Sequence, residues 1–209
     1  MSLEKSFIWL NGEHAPVLFS QAKKLYGVEE LSGSFSNPVI MGWAEEIGVR
    51  AVYTNTSIAW CGLTMAVVVK RAGYKPVTDP LWAKNWLKFG VAADRPSFGD
   101  IMVFNRTGGG GHVALYLAET NNSYFVLGGN QGNRVGIMEI PKKDFIAARR
   151  PKYLVKPLSV RPVLMNKTAD GAYQVVSGAN KGQKLLLLAV GVTCLATGLY
   201  LLYKTSNRT

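Results

Sequence analysis

Two cysteines and two histidines are all that this chain of 209 residues offers for thiol–imidazole chemistry. Cys194 lies inside a long apolar run, and His14 precedes the first helical pattern with no comparable residues around it. Cys61 and His112 are set differently. Cys61 opens Cys61-Gly62-Leu63-Thr64-Met65-Ala66-Val67-Val68-Val69-Lys70-Arg71, in which the apolar residues at 63, 66, 67 and 69 fit a buried helix face. Lys70 and Arg71 suit a last turn, and Gly73 suits a C-cap. The cysteine therefore stands at a helix N-terminus, where free backbone N–H groups and the positive end of the macrodipole favour a thiolate. The alternative is a helix-start cysteine that packs as a small hydrophobe.

His112 begins a strand-like run directly after Gly108-Gly109-Gly110-Gly111. A histidine there can project from the sheet edge toward a facing helix N-terminus, take the thiol proton and later protonate the leaving group. The glycine run leaves room for a substrate. It is not a phosphate loop, because no Lys-Ser/Thr follows. A strand-end histidine bonded to a loop is the plainer alternative. The third piece is Leu127-Gly128-Gly129-Asn130-Gln131-Gly132, which ends the next strand. From there Asn130 can lie beside His112, where an amide oxygen would accept the imidazole N–H and hold one tautomer. Asn in a Gly-rich turn is also ordinary turn chemistry. Gln131 falls on the other face if the chain is still extended.

The elements that must position these residues come in two blocks. Residues 1–12 read as an irregular arm or short strand. Ala15–Tyr26 is an amphipathic helix, Val39–Ile47 a second helix closed by Gly48, and Leu81–Phe89 a further short one with Trp82 and Trp86 on one face. After Pro96, the runs 100–105, 112–118, 123–128 and 134–140 are short, rich in Val, Ile, Tyr and Phe, and separated by Gly and Asn clusters: an antiparallel meander. A last strand is expected over 147–155. Helices first and strands second predict an α+β domain over residues 1–155, with the helices packed on one face of the sheet.

Net charge is +11 and unevenly spread. Residues 1–150 hold 16 basic and 12 acidic residues, against 8 and 1 in residues 151–209. The basic part suggests an anionic neighbour, a membrane, teichoic or lipid phosphate, or nucleic acid bound without specificity, against a plain solvated linker. Two cysteines so differently placed give no disulfide framework. No zinc-site spacing and no cofactor motif is present, so neither metal nor cofactor is expected. Residues 156–184 read as a basic stalk. Leu185–Tyr203 is 19 residues without a charge, with Lys181 and Lys184 before it and Lys204 and Arg208 after. About 20 such residues span a hydrocarbon core, so a transmembrane helix is expected there, followed by a short tail over 204–209. Gly191, Cys194 and Gly198 share one face and would permit weak self-association.

Between Tyr26 and Arg150 the ordered motifs resemble a known family. Gly27-Val28-Glu29-Glu30 and Ser36-Asn37-Pro38 precede Trp60-Cys61-Gly62 and Arg71-Ala72-Gly73-Tyr74. Ser97-Phe98-Gly99-Asp100-Ile101-Met102-Val103-Phe104, Gly111-His112-Val113 and Leu127-Gly128-Gly129-Asn130-Gln131-Gly132 follow. The chain resembles papain-like cysteine peptidoglycan hydrolases of the CHAP/NlpC type, above all the phage-associated and bacterial subgroup with W-C, G-H and L-G-G-N-Q-G. The resemblance implies a papain-like fold, peptidoglycan as substrate, Cys61 as nucleophile, His112 as base and Asn130 as the orienting residue, with Asp100 structural. The family's third position varies, which leaves Asn130 or Gln131 open. The stalk and membrane helix depart from the family's pattern.

No basic segment leads into an apolar stretch at the start, so no signal peptide is expected. A lone helix this close to the C-terminus would act as a tail anchor that leaves the domain on the cytoplasmic side, and the flanking charges do not reverse it. A wall hydrolase there meets no substrate until its membrane is carried to a new wall. The expected setting is the membrane of a bacteriophage virion, with capsid proteins as possible neighbours, or a bacterial inner membrane. Two other classes fit parts of the pattern: a membrane-anchored lipid acyltransferase of the same fold, and a non-catalytic structural membrane protein. In the permuted lipid enzymes the histidine precedes the cysteine, the reverse of the order here.

Overall fold

The computed structural model describes residues 5–11, 14–31 and 36–176. It is an α+β structure in which helices come first and a six-stranded antiparallel sheet follows. The helices are α1 (Val17–Leu25), α2 (Pro38–Ile47) and α3 (Cys61–Arg71). The cysteine helix starts at Cys61, as its sequence requires. Its end is a Schellman turn: Gly73 N–H donates to Lys70 O at 3.0 Å, and Tyr74 N–H to Val69 O at 3.0 Å. Ala72 is the cap, and Gly73, at φ 84°, supplies the left-handed step that follows. α2 is closed at both ends by local chemistry. Asn37 Oδ1 accepts the Val39 N–H at 2.8 Å, Pro38 takes the first turn, and Gly48 turns left-handed at φ 79°.

Residues 61 to 69 of α3 are all buried, not only those on the expected face. The helix is wedged between α1, α2 and the sheet strands, so its small polar and apolar residues alike lie inside. Its exposed end is tied to α2, where Glu46 takes Arg71 through two bonds of 3.1 and 2.6 Å.

The sheet runs in the order β1-β6-β2-β3-β4-β5, from β1 (Val91–Ala92), β2 (Ile101–Asn105), β3 (Gly111–Glu119), β4 (Ser123–Gly128), β5 (Gly136–Pro141) and β6 (Phe145–Arg150). β3 is central and buried from His112 to Glu119. Val103, Val113, Leu115 and Leu127 join the main core with the helices, whereas Met102, Phe104, Ala114, Tyr116 and Val126 form a second cluster. Asp100, just before β2, is fully buried and is held by Arg150 through bonds of 2.8 and 2.7 Å.

Several expectations are corrected. Residues 5–11 form a 3-10 helix that buries Phe7 and Leu10, not a strand. The segment expected as a helix over 81–89 is a 3-10 helix, Ala83–Lys88. Trp82 precedes it and is 74 % exposed while Trp86 is fully buried, so the two do not share a face. Three residues per turn align i with i+3, not i+4. The last sheet strand ends at Arg150 rather than 155.

The expected stalk does not begin at residue 156. Val160, Val163 and Met165 are buried, Glu119 N–H donates to Val163 O at 2.8 Å, and Tyr116 Oη donates to the same carbonyl at 3.2 Å. A hairpin of β7 (Met165–Lys167) and β8 (Tyr173–Val175) closes the segment, with Tyr173 N–H on Ser6 Oγ at 3.0 Å. The compact unit runs to Val175. Apolar residues spaced irregularly among prolines hide such packing from a periodicity reading. Among the described residues no helix is long and apolar enough to cross a membrane. The expected membrane helix over 185–203 lies outside the described residues.

Candidate active site

Cys61 is the first residue of α3 and is 3 % exposed. Gly62 allows the neighbouring chain to close on this turn: a Cβ there would lie 2.4 Å from Pro80 O. The backbones of Val113, Gly62 and Cys61 itself lie near enough to the sulfur to favour its thiolate. The Val113 N–H matters most for assembly. It belongs to the residue after His112, so the thiol sits against the start of β3. α3 and β3 are in direct contact along this line.

The end of β4 closes on the same turn. A Cβ on Gly129 would fall 2.0 Å from Thr64 Oγ1 and 2.8 Å from the Trp60 ring, so only glycine lets this turn reach α3. Trp60 itself is fully buried, and its ring N–H donates to the Glu30 carboxylate. Glu30 N–H in turn donates to Asn133 O at 2.8 Å, which ties the loop before α2 to the turn after β4.

His112 is 1 % exposed. Its Nε2 lies 2.8 Å from Gln131 Oε1. The amide cannot be flipped, because Gln131 Nε2 donates to Val126 O at 3.3 Å and to Gly136 O at 2.5 Å. An amide with both N–H groups on carbonyls presents only its oxygen to the ring. His112 is therefore the Nε2–H tautomer, and Nδ1 carries the free lone pair. Nδ1 is buried with no hydrogen-bond partner among the described residues. Nδ1 is thus the ring nitrogen left free to accept a proton.

The amide bonded to His112 is that of Gln131, not Asn130. Asn130 adopts a left-handed backbone, φ 56°, so strand alternation stops there and Gln131 swings inward. The Asn130 carbonyl accepts from Arg106 Nη2 at 3.3 Å, and its side chain has no bond to His112. The dipeptide Asn130-Gln131 was visible in the sequence; which of the two turns in depends on the backbone. Arg106 went unnoticed because a single arginine beyond a strand carries no signal of its own. His14 lies outside this site, beside Ala15 and Phe19.

The ionisation of the pair follows burial. Burial pushes the Cys61 thiol up, against weaker pulls from the Val113 N–H, Arg106 and the helix-start N–H groups. Burial pushes His112 down to about 4, opposed by the Gln131 bond and assisted by Arg106. Both shifts favour a neutral thiol beside a neutral imidazole. The thiolate expected at the helix N-terminus is outweighed by desolvation.

Two measurements follow. Alkylation of the folded chain against pH is expected to reach half its maximal rate above the ordinary cysteine value of about 8.5, and to return to that value in denaturant. A folded half-point well below it would show a resting thiolate. The second concerns stability. Between the ordinary imidazole value near 6.5 and about 4, the unfolded chain binds a proton at His112 that the folded chain refuses. The neutral burial is thus fully tolerated above pH ~6.5, and stability is lost as pH falls toward 4, by up to roughly 3 kcal/mol. The urea midpoint is expected to drop more from pH 7.5 to 4.5 in the native chain than in His112→Gln. Equal drops would remove His112 as the cause.

Among the described residues there is no group of three or more His, Cys, Asp or Glu that could hold a metal ion. A scan against protein-family models finds no match, and neither does a search of the curated proteins.

Proposed function

We propose that this chain is a papain-like cysteine hydrolase of the CHAP/NlpC type that cuts an amide bond of peptidoglycan, as an endopeptidase or an N-acetylmuramoyl-L-alanine amidase. The observation that carries the reading is the locked Gln131 amide. Its two carbonyl bonds force Oε1 onto His112 Nε2 and leave Nδ1 free to act as a base. A merely structural histidine gains nothing from a buried, unpartnered nitrogen, which costs about 1–3 kcal/mol of desolvation.

In this reading Cys61 attacks the amide carbonyl while His112 Nδ1 takes the thiol proton, and the imidazolium then gives that proton to the leaving amine. The resulting thioester is hydrolysed by water that His112 activates in turn. Gln131 Oε1 accepts the Nε2–H throughout and steadies the imidazolium. The Cys61 backbone N–H at the start of α3 supplies one oxyanion donor. Because thiol and imidazole begin neutral, the proton moves during attack rather than before it.

The segment 185–203 would anchor the domain in a membrane, and the proposed setting is a bacteriophage virion in which that membrane brings the enzyme to a new wall. Mass spectrometry of purified peptidoglycan treated with the full chain in detergent tests the chemistry. New amine and carboxyl ends at one stem-peptide position are expected; unchanged wall with active control enzymes would sink the reading. For the setting, the chain should stay in the membrane fraction of virions after high-salt washing. Recovery only as soluble protein from lysates would end that part.

A further inference from the structure

We propose that residues 152–158, with a lysine-lined recess beside them, form a docking surface for an anionic phospholipid bilayer. The inference goes beyond the hydrolase reading and does not rest on its chemistry. Leu154, Leu158 and Val155 are the most exposed large apolar residues described, at 106, 93 and 85 %. They belong to one short segment without helix or strand, between β6 and β7. Both of its ends are fixed. Before it, Arg150 holds the buried Asp100; after it, Val160 is buried and Arg161 O accepts the Phe98 N–H at 2.9 Å. The Val160 N–H donates to Pro157 O at 3.0 Å, closing a turn that leaves Leu158 in the open. Single exposed aliphatic residues are ordinary, but a cluster of them on a pinned loop marks a contact surface.

The charges name the partner. Lys152 and Lys156 flank Leu154 and Val155, and no acidic residue occurs from Phe145 to Ala169. Lys152 also lines a recess of about 380 Å³ together with Lys75 and Lys88, and no carboxylate lines it. Three separate segments supply these lysines, and their approach is built in. A Cβ on Gly90 would lie 2.0 Å from Arg150 O, and Arg149 Nε donates to Phe89 O at 2.7 Å, so the chain after Lys88 closes on the chain before Lys152. The Tyr74 and Phe89 rings meet edge to face at 6.3 Å, which brings in the segment of Lys75. The three lysines are exposed, and among the described residues none has a hydrogen bond or an ion pair. Free ammonium groups around a recess draw phosphate. Protein interfaces are depleted in lysine, whereas at a bilayer surface lysine stems lie along acyl chains while their heads reach the phosphates. Each lysine near an anionic leaflet strengthens binding about fivefold. The uncharged run over 185–203 gives the chain a second reason to meet a bilayer, independent of this surface.

The test uses the full chain reconstituted in lipid nanodiscs, with Leu158→Cys carrying a nitrobenzoxadiazole dye in a Cys61→Ala, Cys194→Ala background. In discs that contain phosphatidylglycerol the dye is expected to emit further to the blue, and to be quenched by doxyl groups on the acyl chains at least about twofold more than in phosphatidylcholine discs. Lys75→Gln, Lys88→Gln and Lys152→Gln together are expected to remove that difference, and Leu154→Ser with Val155→Ser to lower the quenching in both lipids. All of these positions are exposed, so the urea midpoint should stay near the native one. Equal quenching in the two lipids, or a difference that survives the glutamine variants, overturns the inference. So does recovery of the chain with neither kind of disc. A signal set by the number of chains per disc rather than by lipid charge would make a second copy the occupant. A signal abolished by glycerol phosphate, but not by sodium chloride at equal ionic strength, would make the recess a site for soluble phosphate. Either result overturns the bilayer. Peptidoglycan cleavage is read separately with Cys61 intact, so failure of the hydrolase reading leaves this result standing.

Discussion

Replacing Cys61 with alanine is expected to lower the rate of peptidoglycan cleavage by at least about a thousandfold while leaving the fold intact. The size of the effect follows from covalent catalysis. Without the sulfur no thioester forms, and the remaining backbone donor and binding contacts give only a residue of the original rate. The fold should tolerate the change because alanine retains the Cβ and the helix preference at the first position of α3, and removes one buried atom that takes part in no disulfide. The measurement is a zymogram backed by release of soluble wall fragments, with circular dichroism and urea midpoint as controls. Clearing that persists in the alanine variant would show that Cys61 is a packing residue and that the activity lies elsewhere. Serine is a harsher test of chemistry than of packing. It keeps the shape but offers a hydroxyl that the buried imidazole, held down to about 4, deprotonates far less readily than a thiol.

The second large effect is expected at Gln131. Gln131→Leu removes the acceptor from His112 Nε2 and leaves Val126 O and Gly136 O without their shared donor. The ring then loses both its orientation and its enforced tautomer, and the rate should fall by about a hundredfold to ten-thousandfold, mainly in kcat. Gln131→Glu separates these causes. A carboxylate still accepts from Nε2, but its charge favours the imidazolium, so the acid limb of the pH–rate profile should move to higher pH. Asn130→Gly is the matched control, since glycine adopts the left-handed φ of 56° without strain and keeps the carbonyl that Arg106 uses. It should stay within about threefold of the native rate. If Asn130→Gly falls as far as Gln131→Leu, the third residue has been misassigned.

The two positions were adjacent and equally visible, and the reason the sequence left them open is physical. Gln131 falls on the face away from His112 only if the chain stays extended through 131, where alternation sends neighbours to opposite faces. β4 ends at Gly128, and beyond it Asn130 is left-handed and the Gln131 amide meets His112. Such a step depends on how the turn is gripped, here by Arg106 on one side and by the Gly129 approach to Thr64 on the other. Neither grip has a local signature.

Local patterns alone determined a good deal. Asn37-Pro38 and Gly48 bracket a helix through capping chemistry, and Cys61 starts the next one because the apolar period begins there. Alternating Val, Ile, Tyr and Phe runs between glycine clusters predict strands, and those of the meander formed within a residue or two of the expected bounds. The scarcity of cysteine and histidine singled out Cys61 and His112 without any fold. Tertiary structure decided what depends on distant neighbours. It buried Cys61 and His112, so desolvation overrides the helix terminus and favours the neutral form of each. It turned Trp82 outward, folded residues 157–175 back onto the sheet, and set Arg106 and His112 along one recess. Periodicity reports which residues want to be inside. Burial depth, turn handedness and electrostatic environment arise only when segments far apart in the chain come to share the same space.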